Sequence, residues 1–244
     1  MTPPPTPPAF RPLFAQIKEL IVDRIRAGEW QPGEPLPSET EFAEFYQASQ
    51  GTVRKAITEM ADENLVVRFR GKGTFVASHT RERALSHFFK LFRDDGGKDL
   101  PSSRPFSCRR QKATRAMEER LGLERGAGVV VIERVRLLDE RPLIFEIVVV
   151  PEALFPDVCA SLQDSLPNEF YPYYETKYGV RVIRAIEQLR SVAADEREAE
   201  ILEIAVGTPV LEIDRVAVTY DDKPVEWRRS RCNTRDHHYL SVLN

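Results

Sequence analysis

Apolar positions in the first third of the chain follow a helical period and then give way to short, dense runs. From Leu13 to Ala27 they fall at Leu13, Ile17, Leu20, Ile21 and Ile25, the 3.6-residue spacing of an amphipathic helix. Gly28 and the turn Trp30-Gln-Pro-Gly33 end it. Ser38, with Glu41 three residues on, forms the capping box of a short second helix, whose buried face is expected to be Phe42, Ala43 and Phe45. Ser49 caps a third helix, with Thr52 at its third position and Val53, Ala56, Ile57 and Met60 along one stripe. Leu65-Val-Val67 and Thr74-Phe-Val76 then flank Arg70-Gly-Lys-Gly73, which predicts a hairpin with a flexible, basic tip.

Helix, turn, helix and hairpin in that order describe a winged helix, whose recognition helix enters the DNA major groove with its N-terminal end against the bases. Gln50 and Arg54 project near that end. Taken singly, each piece has a plain reading: a Gly-Lys-Gly turn, a helix start, a solvated arginine. Their order and spacing within about 65 residues is what points to DNA. Net charge does not: the chain carries −3, and residues 1–77 hold nine Lys/Arg against ten Asp/Glu. A general attraction to phosphate is therefore not implied. The charges are nonetheless sorted, with Arg54, Lys55, Arg68, Arg70 and Lys72 on the third helix and hairpin, and Glu19, Asp23, Glu29 and Glu34 earlier.

Beyond residue 84 the period changes. Val129–Leu138 and Pro142–Val150 are β-rich runs around Asp139-Glu-Arg141, which predicts a hairpin. Further strands are expected at 182–192, 209–220 and 225–232, the last two joined by Asp221-Asp-Lys223. Helices are expected at 114–121, 151–160, 169–178 and 195–204. The fold class is therefore α+β: a winged helix followed by a domain built on an antiparallel sheet. The expected organisation is a disordered Pro-rich tail over 1–11, the winged helix over 12–77, a linker over 78–83 and the second domain over 84–244.

The strand period of two gives the second domain candidate chemistry. Arg134 and Arg136 share one face of their strand, and Glu226, Arg228, Ser230 and Cys232 share one face of the last strand. Two neighbouring arginines suit a carboxylate or phosphate. Alternatively they pair with Glu146 or Glu226 and hold the sheet together. The adjacent His237 and His238 point oppositely on a strand, so metal ligation by the pair is not expected, and no cofactor is. Cys108, Cys159 and Cys232 form an odd, scattered set without a C-x-x-C pair, which predicts free thiols in a reducing cytoplasm rather than disulfides or zinc. No motif pairs a nucleophile or base with an activating partner, so an enzyme is not expected. The Pro-rich start lacks the apolar core of a signal peptide, and no apolar run approaches the roughly 18 residues of a membrane span.

Residues 12–77 resemble the DNA-binding domain of the GntR family of bacterial transcription regulators. The resemblance is carried by Pro12-Leu-Phe-Ala-Gln-Ile17, Gly28, Pro32-Gly33, Leu36-Pro-Ser-Glu39, Thr52-Val-Arg54, Ala56, Leu65-Val66 and Gly71-Lys-Gly-Thr-Phe-Val76. It implies that Ser49, Thr52 and Arg54 contact phosphates or base edges and that Gly73 reaches into the minor groove; Ser38, Arg70 and Lys72 complete the candidate face. The chain departs from the family at Gln50, usually Arg, and at Thr40, often Arg or Lys. Arginine suits guanine O6/N7 and glutamine suits adenine N6/N7, so the usual operator is not assumed.

Residues 84–244 resemble the UTRA effector-binding domain of the HutC subfamily, which shares the chorismate lyase fold. The matching residues are Glu133-Arg-Val-Arg136, Phe145-Glu146, Tyr178-Gly179, Gly207-Thr-Pro209, Arg215, and Glu226 followed by Ser230 and Asp236. In such domains a small molecule sits on the sheet. The candidate effector residues are Arg134, Arg136, Glu146, Glu226, Cys232 and Glu169, the last near where relatives place a ligand-facing serine. The expected protein is a cytoplasmic homodimeric repressor, released from a palindromic site on double-stranded DNA by a small polar or anionic effector.

Overall fold

Helix α1 (Leu13–Arg26) turns Ile17, Ile21 and Ile25 inward and leaves Leu13 and Leu20 at the surface. Helix α2 (Glu39–Phe45) adds Phe42, and α3 (Gln50–Asp62) buries Val53, Ala56, Ile57 and Met60, the stripe its sequence predicts. Fully buried aliphatic side chains of this size stabilise a fold by about 1.5–3 kcal/mol each, so this small core rests on few residues. Phe45 does not join it. It is 65% exposed at the last position of α2, where its ring meets Tyr46 edge-on and is covered by the Arg24 guanidinium. Strands β1 (Val66–Phe69) and β2 (Gly73–Val76) pair antiparallel from Val66↔Val76 to Phe69↔Gly73. Their tip is Arg70-Gly-Lys72, and Gly71 and Gly73 adopt the left-handed φ values of +75° and +104° that favour glycine. Pro35 bridges to Phe75 and fastens the α1–α2 connection to the wing.

This computed structural model describes residues 11–78, 89–96, 101–164 and 167–242. The chain divides into two compact units, Met1–Ser78 and His79–Asn244. Most of the expected tail (1–11) and linker (78–83) lies outside the described residues.

The second unit is built on a six-stranded antiparallel sheet in the order β4-β5-β6-β9-β8-β7. Its strands are β4 (Ser102–Lys112), β5 (Gly128–Leu138), β6 (Arg141–Pro151), β7 (Arg184–Ala193), β8 (Pro209–Val218) and β9 (Pro224–Cys232). A separate pair joins β3 (Leu91–Arg93) to β10 (His237–Tyr239). The β5–β6 turn is the two residues Asp139 and Glu140, both at positive φ, as a tight hairpin with the natural strand twist requires. Helices α5 (Val158–Asp164) and α6 (Phe170–Tyr178) pack on one sheet face with Val130, Ile132, Val148 and Val150. On the other face, α4 (Arg115–Leu121) packs with Val129, Val131 and Val149, and α7 (Glu196–Leu202) with Val135 and Phe145. Cover on both faces is why β5 and β6 read as near-continuous apolar runs instead of alternating ones.

Several expectations need correction. Strands β3, β4 and β10 have no counterpart in the sequence reading, because β4 is a largely exposed, polar edge strand and the other two are three residues long. The helix expected over 151–160 starts later: Pro151 still belongs to the ladder, opposite Val129, and α5 begins at Val158. Cys108 and Cys159, expected as free thiols, form a disulfide across 51 residues, with their Cα atoms 5.5 Å apart. Cys108 lies opposite Ile132 and so points to the face that α5 covers; only the tertiary packing of that helix brings Cys159 to it. Cys232 is a free, buried thiol.

Candidate functional site

The first unit gathers its candidates at the N-terminal ends of α2 and α3 and on the wing. Ser38 caps α2: its hydroxyl accepts from the Glu41 amide at 3.2 Å, and its own amide donates to Glu41 Oε2 at 2.8 Å. The Ser38 amide first, and the Ser38 hydroxyl second, hold the Glu41 carboxyl below its ordinary pKa. Ser49 caps α3 in the same manner, accepting from the Thr52 amide at 3.1 Å, with the two hydroxyls 2.8 Å apart. The oxygens of Ser38 and Ser49 thus serve the helix ends directly, which helps to fix where α3 points. Gln50, the first residue of α3, donates from Nε2 to Thr40 Oγ1 at 3.4 Å, so the two departures from the family pattern touch each other. Arg54 lies one turn on and donates from Nε to Glu39 Oε2 at 2.8 Å. Arg70, Lys72 and Gly73 are exposed on the wing. Lys55, also on α3, is engaged over the Phe14 ring of α1.

The second unit holds its candidates on the sheet face covered by α5 and α6, where they form one buried ionic cluster. Arg134 and Glu146 are direct cross-strand neighbours, and Arg134 Nε donates to Glu146 Oε2 at 2.6 Å. Arg134 Nη1 reaches the carbonyls of Pro167 and Asn168 at 3.3 and 3.1 Å, and its guanidinium lies 4.0 Å from the Phe170 ring centre. Glu226 is grasped by Arg228 through two bonds of 2.9 and 2.8 Å, and accepts the Tyr171 and Tyr174 hydroxyls at 3.2 and 2.8 Å. Arg228 also approaches Glu146 at 3.5 Å, and the Ser230 hydroxyl donates to it at 3.4 Å. Burial alone would raise the Glu146 pKa, but Arg134, Arg228 and Arg136 outweigh it and hold the carboxyl well below the usual carboxylate range. Arg134 thus pairs with Glu146, and Glu226 with Arg228.

Arg136 differs. No carboxylate among the described residues pairs with it; its Nη2 has a 3.4 Å bond to the Pro101 carbonyl, and the Phe89 ring lies 5.3 Å away. Burial first, and the Arg134 charge second, push its pKa down to about 9, a low value for a guanidinium. Among the described residues Arg136 Nε, Arg134 Nη2 and the Ser103 hydroxyl are buried without a hydrogen-bond partner. Ser103 stands directly opposite Arg136 across the β4–β5 ladder, so the three groups share one face. Glu169 occupies the N-cap position of α6, half-buried, and its charge reaches Arg136. Cys232 is fully buried at the foot of β9, and burial followed by the Glu146 charge pushes its thiol far up, which makes a reactive role there unfavourable.

Sequence reasoning missed Ser103, because its strand was not recognised. It also passed over Tyr171 and Tyr174, whose positions on the inner face of α6 gave no sign that their hydroxyls meet Glu226. Arg228 was within reach, since the period of two set it beside Glu226. Among the described residues no helix is long and apolar enough to cross a membrane, and no group of His, Cys, Asp and Glu is placed to hold a metal ion.

Comparison with known proteins agrees with both halves. Residues 13–76 match the family described as bacterial regulatory proteins, gntR family, and residues 97–238 match the UTRA domain. The HTH-type transcriptional repressor NagR of Bacillus subtilis (strain 168) is 32% identical over 220 residues, covering 90% of this chain and 89% of that protein. The mannosyl-D-glycerate transport/metabolism system repressor MngR of Escherichia coli (strain K12) is 25% identical over 239 residues, covering 95% and 96%. Among solved structures, the ligand-binding domain of a regulator assigned to the GntR family from Bordetella bronchiseptica superposes with a TM-score of 0.61 at 32% identity, covering 65% of this chain and 98% of that one. A winged helix joined to a UTRA domain, with relatives of this similarity along nearly its whole length, places the chain in the GntR family of bacterial regulatory proteins, as a DNA-binding transcription regulator and not an enzyme.

Proposed function

We propose that the protein is a repressor that leaves a palindromic operator when a small anionic metabolite enters the ionic cluster of its second unit. The observation that carries this reading is Arg136: a buried guanidinium with no carboxylate partner among the described residues, beside two buried polar atoms, Arg134 Nη2 and the Ser103 hydroxyl oxygen, that have no hydrogen bond among those residues. Leaving charged donors buried and unsatisfied costs more than most folds tolerate, so such a site favours a ligand that supplies the acceptor. MngR supports the class, since its name refers to a sugar joined to a carboxylic acid. In this reading Arg136, Arg134 and Glu169 meet the effector, Glu146 and Glu226 hold the arginines in place, and Cys232 only packs.

On the DNA side, Arg54 reads a base, Gln50 favours adenine, and Ser38, Thr40, Ser49, Thr52, Arg70, Lys72 and Gly73 follow the backbone and minor groove. The site of action is the cytoplasm. Two copies bind together, because one winged helix spans too few base pairs to be specific and two-fold proteins match two-fold sites. A monomer in light scattering at micromolar concentration, binding a palindrome with a hyperbolic isotherm, would contradict the dimer.

The effector test begins with an operator recovered by in vitro selection, in which guanine opposite Gln50 would already rule out the adenine preference. Sugar phosphates and sugar carboxylates are then compared with neutral sugars of equal size as releasing agents, by fluorescence anisotropy. Release by an anionic member is expected, lost in Arg136→Gln while effector-free DNA affinity stays at the wild-type value. Release by the neutral sugars at the same concentration, or an unchanged response in Arg136→Gln, overturns the assignment.

A further inference from the structure

Glu39 opens α2, on the face where the DNA-reading residues gather, and its carboxylate ties two of the surrounding elements together. Oε2 accepts from Arg54 Nε of α3 at 2.8 Å, and Oε1 accepts from Arg68 Nη2 of β1. The Glu39 side chain is 18% exposed, against 59% for Arg54 and 41% for Arg68. Thr58 closes the circuit: its hydroxyl accepts from Arg68 Nη1 at 3.3 Å and donates to the Arg54 carbonyl at 2.8 Å. One shielded acid thus joins the start of α2, the recognition helix and the wing.

Exposed ion pairs contribute little to stability, so this ring is a weak argument for the fold. What it sets is direction. Arg54 commits Nε to Glu39, and among the described residues its two Nη groups make no hydrogen bond. Those two nitrogens form the end-on fork that matches guanine O6 and N7. An arginine without such an anchor samples many rotamers and loses that freedom on binding. A carboxylate among phosphate-seeking residues also repels DNA of every sequence.

We propose that Glu39 is a specificity-determining residue of the DNA-reading face. It holds Arg54 as a pre-aimed fork, binds the wing's Arg68 to the same point, and weakens attachment to unrelated DNA. This inference rests on Arg54 as a base reader. Its mark is a pair of opposite effects: loss of Glu39 lowers affinity for the operator and raises it for other sequences.

The test uses the full chain, an operator duplex selected from a random library by the wild-type protein, and a scrambled duplex of equal length, with fluorescence anisotropy at several salt concentrations. Glu39→Ala is expected to weaken operator binding roughly tenfold and to strengthen scrambled binding a few-fold. Glu39→Gln, which keeps one acceptor oxygen for an arginine, should fall between. In the Arg54→Ala background Glu39→Ala should weaken operator binding no further, because the two residues act as one unit; a purely structural acid would show an added loss there. If Glu39→Ala melts early, Glu39→Gln carries the same comparison. An unchanged ratio of operator to scrambled affinity in both Glu39 variants, while Arg54→Ala collapses that ratio, overturns the role of Glu39 alone. Wild-type operator affinity in Arg54→Ala removes the base reader, and this role with it.

Discussion

Glu146→Ala is expected to destabilise the second unit by about 3–5 kcal/mol, the usual result of removing one partner from a buried ion pair. Arg134 is 0% exposed and its Nε has Glu146 as acceptor. Without that carboxylate, a guanidinium remains in the interior whose partners among the described residues are the Pro167 and Asn168 carbonyls and the Phe170 ring. The folded pKa of Glu146 lies below its unfolded value. The stabilisation from its ionised form is therefore complete above the unfolded value of about 4.3 and is lost as the pH falls through the folded one. Urea titrations of both proteins should differ widely at neutral pH and converge in strong acid. Equal midpoints at pH 7 would mean that Glu146 serves a ligand and not the sheet.

Arg54→Ala is expected to weaken operator binding by about 1–3 kcal/mol, the range for a bidentate base contact. Its side chain is largely exposed and its ion pair with Glu39 is open to solvent on the arginine side, so the melting temperature should stay near the wild-type value. The loss should concentrate on the selected operator. An equal loss on scrambled DNA, with a salt slope lower by about one, would identify Arg54 as a phosphate contact instead.

The first unit was largely legible in the sequence because its determinants are local. Ser38 with Glu41, and Ser49 with Thr52, start their helices within four residues, and the apolar period then names the core. Phe45 escaped because a helix of seven residues ends before its last ring reaches that core. In the second unit the period of two set Arg134 with Arg136, and Glu226 with Arg228, on shared faces correctly. It could not say which carboxylate each arginine meets, because that depends on cross-strand register: Glu146 stands opposite Arg134, whereas Ile144 stands opposite Arg136. The polar edge strand β4 offered no apolar alternation, and Ser103 and the partner of Cys159 disappeared with it.

The state of the three cysteines bears on how this protein can be observed. Cys108 and Cys159 occupy each other, and Cys232 is sealed in the sheet with its thiol held protonated. Without a reductant, the folded chain therefore presents no nucleophilic sulfur to a maleimide or a nitroxide reagent. A single cysteine introduced at an exposed position outside the candidate DNA-contacting residues, at Asp62 for example, becomes the sole point of attachment. In a two-fold assembly it marks both winged helices at once, so pulsed electron resonance can read the distance between them with DNA or effector added, in the otherwise native sequence.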